Sequence, residues 1–211
     1  GTDVGYTLTG LALSGADAGN YFLGISSQTV AAGGATNATI TPKTLTITGT
    51  TVADKVYDGT ATAAVTAGTL SGFIGTETVV IDTATGLFDA ADVAYSGNTV
   101  TSQGVTASYT LTDGAGGGLA SNYQLADTSH TATITPKDLT LGGLSVASRE
   151  YDGTTDVSAG QISGTAALAA AIAAGSGTST DGAPYAGDTL TISGTPVGTY
   201  DSKDVATAST V

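Results

Sequence analysis

The chain has no cysteine, methionine or tryptophan, one histidine (His130), and only five bases against 18 acids. Without cysteine there is neither a disulfide framework nor a thiolate metal centre. A formal charge of −13 argues against nucleic acid as a partner, because that affinity depends on cations displacing phosphate counterions. It argues equally against anionic membrane surfaces. Long apolar runs are also missing. The longest, "AALAAAIAA" at 166–174, falls far short of the roughly 20 residues needed to insert across a bilayer. No targeting segment is visible and no basic stretch precedes residue 1, so the chain is expected to be a mature or excised piece. Catalytic groups are scarce as well. His130 sits in a threonine-rich stretch with no recognisable nucleophile or paired acid around it. The glycine-rich "DGAGGGLAS" (113–121) lacks the Lys-Ser/Thr of a phosphate loop and reads as a connection between strands. The expectation is a non-enzyme with no cofactor.

What the chain does have is glycine, threonine, alanine and valine in abundance. Thr and Val favour pleated, half-buried strands because their branched Cβ packs well there, and the interspersed Gly, Asp, Asn and Ser supply turns. Strands are expected within 44–50, 61–70, 77–83, 99–112, 122–125 and 130–136. Short strands at this spacing point to an all-β chain of tandem immunoglobulin-like β-sandwiches, with a β-grasp-like topology as the alternative. One short helix is expected in "TAALAAAIAAG" (165–175), with Thr165 as N-cap and Gly175 just past the end. A flexible Ala/Gly loop is the other reading of that stretch.

The chain also repeats itself. "KVYDGTATA" (55–63) returns as "REYDGTTDV" (149–157), and "ATITPKTLTITG" (38–49) as "ATITPKDLTLGG" (132–143), both 94 positions on. "LFDAADVAYSGNTV" (87–100) answers "TYDSKDVATASTV" (199–211), and "YTLTGLALSGADAGNYFL" (6–23) answers "YTLTDGAGGGLASNYQL" (109–125). Residues 44–137 therefore read as one complete unit, 1–43 as the back of a preceding one and 138–211 as the front of the next. The extra residues near 166–184 lengthen that second unit and form a candidate contact surface. The expectation is that 138–211 is completed by the 1–43 of a neighbour, by covalent continuation or by strand complementation. Neighbouring copies are then the natural partners.

These motifs, "KVYDGT" (55–60), "REYDGT" (149–154), "TLSG" (69–72), "GLALSGADAGNY" (10–21) and "ATITPK" (38–43 and 132–137), resemble the YDG-type repeats of large bacterial surface and secreted proteins of the filamentous-haemagglutinin-like kind. The resemblance implies a secreted or cell-surface β-domain that serves as a stalk, adhesin or filament segment. Departures are modest: "GADAGNY" is intact only at 15–21, and the second copy reads "GLASNY" (118–123).

Tyr57-Asp58-Gly59 and Tyr151-Asp152-Gly153 read first as structure. Gly tolerates positive φ, Asp caps its own turn, and the tyrosine is expected to bury its ring and hydrogen-bond its hydroxyl. Pro42 and Pro136 precede Lys43 and Lys137 at the unit seams and should stiffen them. The other bases, Lys55, Arg149 and Lys203, should each find a carboxylate. Asp89 and Asp92, with their counterparts Asp201 and Asp204, have the spacing of a turn that suits calcium, although no spaced Asp-x-Asp-x-Asp-Gly loop is present. Solvated turn acids are the plainer reading. Lys43 or Lys137 with Asn20 or Asn122 are candidates for a covalent cross-link, and "NAT" (37–39) is a formal glycosylation triplet. The rival to a structural role is a binding module in which Tyr95, Tyr185 or the 166–184 insertion touches a glycan or a host surface.

Overall fold

The computed structural model describes residues 4–24, 27–31 and 38–207; Asn37 of the glycosylation triplet lies outside them. The regular structure is all-β. Among the described residues it consists of short strands and three 3-10 turns of three residues each, and no helix is long and apolar enough to cross a membrane. The chain divides into two compact units, one from 1–50, 67–84 and 108–127, the other from 51–66, 85–107 and 128–211.

In the first unit, Thr46–Thr48 runs antiparallel to Thr69–Ser71, and Tyr123–Gln124 lies parallel to Lys43–Thr44. These pairings collect Leu45, Val79 and Tyr123 into a core, with Leu70, Phe73, Leu111 and Leu125 against it. Tyr123 is buried with its polar end satisfied. Its hydroxyl donates to Glu77 at 2.6 Å and accepts the Ile74 amide at 3.2 Å, while its ring meets Phe73 edge-on at 5.9 Å. A buried phenol needs such partners, since an unpaired hydroxyl in an apolar core is costly. Tyr6–Thr9 pairs antiparallel with Ser27–Val30 in the same unit.

In the second unit, Gln103–Ala107 pairs antiparallel with Thr128–Ala132, and Gly86–Leu87 with Thr62–Ala63. Ile134–Thr135 lies parallel to Lys55–Val56. Phe88, Val105, Ala132 and Ile134 form the core here, with Val52, Tyr57, Ala61, Ala63 and Val93 packed on it. Further along, Leu141–Val146 pairs with Ile162–Leu168, and Asp156–Val157 with Gly198–Thr199. Burial is uneven. Of the eleven buried apolar residues among the described ones, only Val157, Ala183 and Tyr185 follow residue 137.

All six expected strand regions contain strand; 44–50 and 61–70 are broken into pieces of two or three residues, whereas 77–83 and 99–112 fall mainly in the long strands Val79–Phe88 and Gln103–Asp113. The expected helix at 165–175 is corrected. Thr165–Leu168 belongs to the strand Ile162–Leu168, whose Leu168 sits opposite Leu141, and Ile172 bridges in parallel to Tyr185. Alanine's helix propensity is worth only tenths of a kcal/mol per residue, and a waiting strand partner outweighs it. Among the described residues the sheets are one of four strands and eight of two.

Candidate functional site: two Tyr-Asp-Gly clamps and a groove

Each Tyr-Asp-Gly phrase folds into the same clamp. In the first, Asp58 Oδ1 accepts the Thr60 amide at 2.9 Å and the Thr60 hydroxyl at 2.8 Å. Gly59 takes the turn at φ +75°, a region that side chains with a Cβ avoid. Lys55 then reaches across the turn, donating to Asp58 Oδ1 at 2.7 Å and to the Thr60 carbonyl at 2.6 Å. In the second, Asp152 Oδ1 accepts the Thr154 amide at 2.9 Å and hydroxyl at 3.0 Å, with Gly153 at φ +80°. Arg149 replaces the lysine: Nη1 donates to Asp152 Oδ2 at 2.8 Å, and Nη2 donates to the Thr154 carbonyl. Both cations also sit over a ring, Lys55 Nζ at 5.6 Å from the Phe88 centroid and Arg149 Cζ at 4.7 Å from that of Tyr200. Those rings occupy corresponding places. The Phe88 amide donates to the Ala61 carbonyl and the Tyr200 amide to the Thr155 carbonyl, both at 2.8 Å.

The electrostatics follow from these contacts. Burial works against the Asp58 carboxylate, but the Lys55 ammonium and the Thr60 donors outweigh it and hold its pKa below the ordinary carboxylate value. Asp152 is lowered chiefly by the Thr154 amide and hydroxyl. These are the marks of a turn locked by charge-assisted hydrogen bonds.

The two tyrosines part company. Tyr57 is half-buried, and its ring meets Tyr185 edge-on at 5.7 Å while its hydroxyl donates to Asp188 at 2.9 Å. Burial, followed by that hydrogen bond to a carboxylate, pushes its pKa up to about 12. Tyr151 is 60% exposed, with Lys203 Nζ 6.0 Å from its ring. The difference has a physical source, because the segment carrying Tyr185 packs on the first clamp. Gly175 donates its amide to the Asp58 carbonyl at 2.7 Å, and a Cβ on Gly59 would stand 2.9 Å from that of Ala174.

The same segment secures the seam lysine. Lys137, its side chain only 3% exposed, pairs with Asp181 at 2.7 Å, donates to the Tyr185 hydroxyl at 3.2 Å and lies 4.2 Å from that ring's centroid. Burial pulls the Lys137 pKa down, but Asp181 and Tyr185 more than compensate and the net direction is upward. Lys137 in turn leads the causes that hold Asp181 at about 2. Beside this knot lies an open groove of about 390 Å³ walled by Pro136, Leu139, Tyr95, Tyr185 and Leu190, with Asp92 and Asp188 at its edge.

The remaining candidates are dispersed. Asp89 lies close to Gly104, the Asp92 carbonyl accepts from the Gln103 side chain, and Asp204 pairs with Lys203 at 3.0 Å. Among the described residues no three His, Cys, Asp or Glu side chains gather where a metal ion would sit. Asn20 and Asn122 each close a 3-10 turn, and the Lys137 amine is engaged as described. Pro42 precedes the strand Lys43–Thr44, and Asp201 lies in the irregular stretch after Gly198–Thr199. His130 Nε2 shares a hydrogen bond with the Thr128 hydroxyl at 2.7 Å. Sequence reasoning missed Thr60 and Thr154 as clamp members, although the Thr after each Tyr-Asp-Gly was the signal. It also missed Asp181 and Asp188, which no local pattern marks.

A family model for the YDG domain matches residues 41–131 and again 135–211. No curated protein and no solved structure matches the chain.

Proposed function

The chain belongs to the YDG domain family, and we propose that it works as a structural repeat segment of an extracellular bacterial stalk, adhesin or filament of the filamentous-haemagglutinin-like kind. In this reading each repeat is a small module of immunoglobulin-like size whose partners are neighbouring repeats or copies, and no residue acts as a catalyst or holds a cofactor. The observation that carries it is the duplicated clamp. Two turns 94 positions apart spend their Asp, Thr and cation on one another, so these polar groups are engaged within the turn rather than left free for a substrate. A charge of −13 supports the reading as well, since like-charged segments stay soluble and resist sticking at random.

The test is mechanical. The full chain, pulled from its two ends, should unfold in discrete force peaks that weaken when Asp58 and Asp152 are replaced by Ala. Extension without a peak would remove the load-carrying role. Protease treatment of intact producing cells addresses location, and cleavage of the chain from outside is the expected result. One observation favours a second reading, a glycan-binding module: the aromatic wall of the groove. Tyr185 is only 3% exposed and Lys137 lies over its face, so little ring is offered to a sugar. Selective binding on a glycan array would revive that reading.

A further inference from the structure

The second compact unit does not stop at the repeat boundary. It takes residues 51–66 and 85–107 from the first repeat together with residues 128–211. The first repeat ends in the strand Ile134–Thr135, paired with Lys55–Val56, and the Tyr57 amide donates to the Thr135 carbonyl at 2.8 Å. The second repeat begins its first strand at Leu141. Only Pro136 to Thr140 lie between, outside any strand, and such a joint by itself would let the two repeats open separately.

The segment 169–186 spans that joint, and it is closed on itself. The Ile172 amide donates to the Pro184 carbonyl at 2.9 Å and the Ala186 amide to the Ile172 carbonyl at 2.7 Å, while Asp181 gathers the Thr178 and Ala183 amides at 2.8 and 2.9 Å. Ala183 and Tyr185 are buried, which marks a packed segment and not a loose loop. One side of it holds the first repeat, through the Gly175 amide on the Asp58 carbonyl and the Tyr185 ring against Tyr57. The other side holds the joint. Asp181 pairs with Lys137, and the Gly182 carbonyl accepts the Thr140 amide at 2.9 Å. The approach is so close that a Cβ on Gly182 would stand 2.0 Å from the Thr140 hydroxyl oxygen. The joint is thus fixed at both ends, at Thr135 by Tyr57 and at Thr140 by Gly182. The first repeat passes from Thr69–Ser71 to Val79–Phe88 through a short turn closed by the Glu77 amide on the Ile74 carbonyl, so a repeat folds without such a segment.

We propose that this segment is a staple between repeats: gripping Tyr57-Asp58-Gly59 on one side and Lys137 and Thr140 on the other, it makes the strands of the second repeat open only together with the first-repeat strands of the same unit. The proposal rests on the reading of the chain as structural repeats and adds what couples one repeat to the next. In an array of repeats, stability is the sum of what each repeat holds alone and what it gains from its neighbours. A contact added at the joint therefore raises the cost of opening either repeat by itself.

Native-state hydrogen exchange on the full chain tests the coupling. Val105 sits in the core with Phe88 and Ile134 and takes no part in the staple, so Val105→Ala weakens the first-repeat side alone. Amides of Gln103–Ala107 should then lose protection about tenfold or more, and with the staple closed those of Leu141–Val146 and Ile162–Leu168 should lose it by the same factor. Ile134→Val is the milder substitute if Val105→Ala does not fold. Asp181→Ala with Tyr185→Ala opens the staple. In that background Val105→Ala should still act on Gln103–Ala107 and leave the later strands where they were. If the opened chain does not fold, Asp181→Asn, which removes the charge that holds Lys137, should reduce the factor seen in the later strands. Later strands that ignore Val105→Ala in the otherwise native chain overturn the proposal. So does a loss passed on undiminished in whichever staple variant folds. The force peaks that test the structural role survive either result, because repeats that open separately still carry load.

Discussion

Asp58 and Thr60 are joined twice through a single oxygen, Oδ1 taking the threonine amide at 2.9 Å and its hydroxyl at 2.8 Å. Asp152 holds Thr154 in the same way 94 residues later. In each copy a cation two positions before the tyrosine closes the ring of contacts. Where the residue two places back is Lys, the grip is a point charge; where it is Arg, two nitrogens of one planar group share the work.

Replacing Asp58 with Ala takes the carboxylate away from the Lys55 ammonium, 17% exposed, which keeps the Thr60 carbonyl, and from the Thr60 amide. A hydrogen bond to a charged group contributes about 1.5–3 kcal/mol, and partial solvent access reduces that, so the expected loss is about 1–2 kcal/mol. In melting temperature this is a drop of several degrees. Asp152→Ala should cost less, because its side chain is 52% exposed against 35% for Asp58. Equal midpoints for the wild type and both variants in thermal melts would show that the clamps do not hold the fold.

The acid limb of the stability profile should follow the same carboxylates. Asp181 is held at about 2 in the folded chain against an ordinary value of 3.8, and Asp58 and Asp152 are shifted in the same direction. A depressed carboxylate stabilises the fold at pH values above its unfolded pKa, and that contribution disappears as pH falls through the folded one. The melting temperature should therefore hold steady down to about pH 4 and then fall towards pH 2. Asp181→Asn should flatten part of that fall while lowering the plateau. A wild-type curve without an acid limb contradicts the assignment.

How much of this was readable in advance depends on the reach of each interaction. The strands were legible because alternation is local: Val79 turns inward while Val80 stays exposed, although the strand runs on to Phe88, past the expected end at 83. The clamp was legible as a turn, since Asp-Gly and the partner Thr are adjacent in sequence. Its ring partners were not, because Phe88 and Tyr200 lie far along the chain and no local pattern marks them. Tyr57 with Asp188 spans 131 positions, and Lys137 meets its acid only because the inserted segment folds back. The 165–168 stretch misled for the opposite reason. Its alanines speak clearly for helix, and the pairing with Leu141–Val146 that overrides them is written in another part of the sequence.

The turn acids make a discriminating case for calcium. The ion takes six to eight oxygens at about 2.4 Å. The Asp92 carbonyl is used by Gln103 and the Asp204 carboxylate by Lys203, so two of the four candidate residues are already committed. The chain should melt within about a degree of the same temperature in millimolar calcium and in chelator, well below the shift expected of a ligand at 100 times its Kd. A rise of several degrees with calcium would put an ion at Asp89 and Asp92 or at Asp201 and Asp204, and replacing either pair by Asn would say which.

Tyr57 supplies the alkaline counterpart. Its pKa is raised from 10.0 to about 12, first by burial and then by the hydrogen bond it gives to Asp188. For an acid whose folded pKa is raised, the neutral form is the one the fold prefers. Its contribution is complete below the unfolded value near 10 and is lost as pH climbs towards 12. Tyr123 is also raised, chiefly by the hydrogen bond it gives to Glu77, so tyrosinate absorbance should show a late phase to which both Tyr57 and Tyr123 contribute, accompanied by falling stability over the same interval. Tyr57→Phe should shrink that phase by one tyrosine, and Asp188→Asn should move the Tyr57 share to lower pH by removing the charge that opposes its ionisation. If the titration of Tyr57→Phe superimposes on that of the wild type, the late phase belongs to another ring and the contact between Tyr57 and Asp188 does not set it.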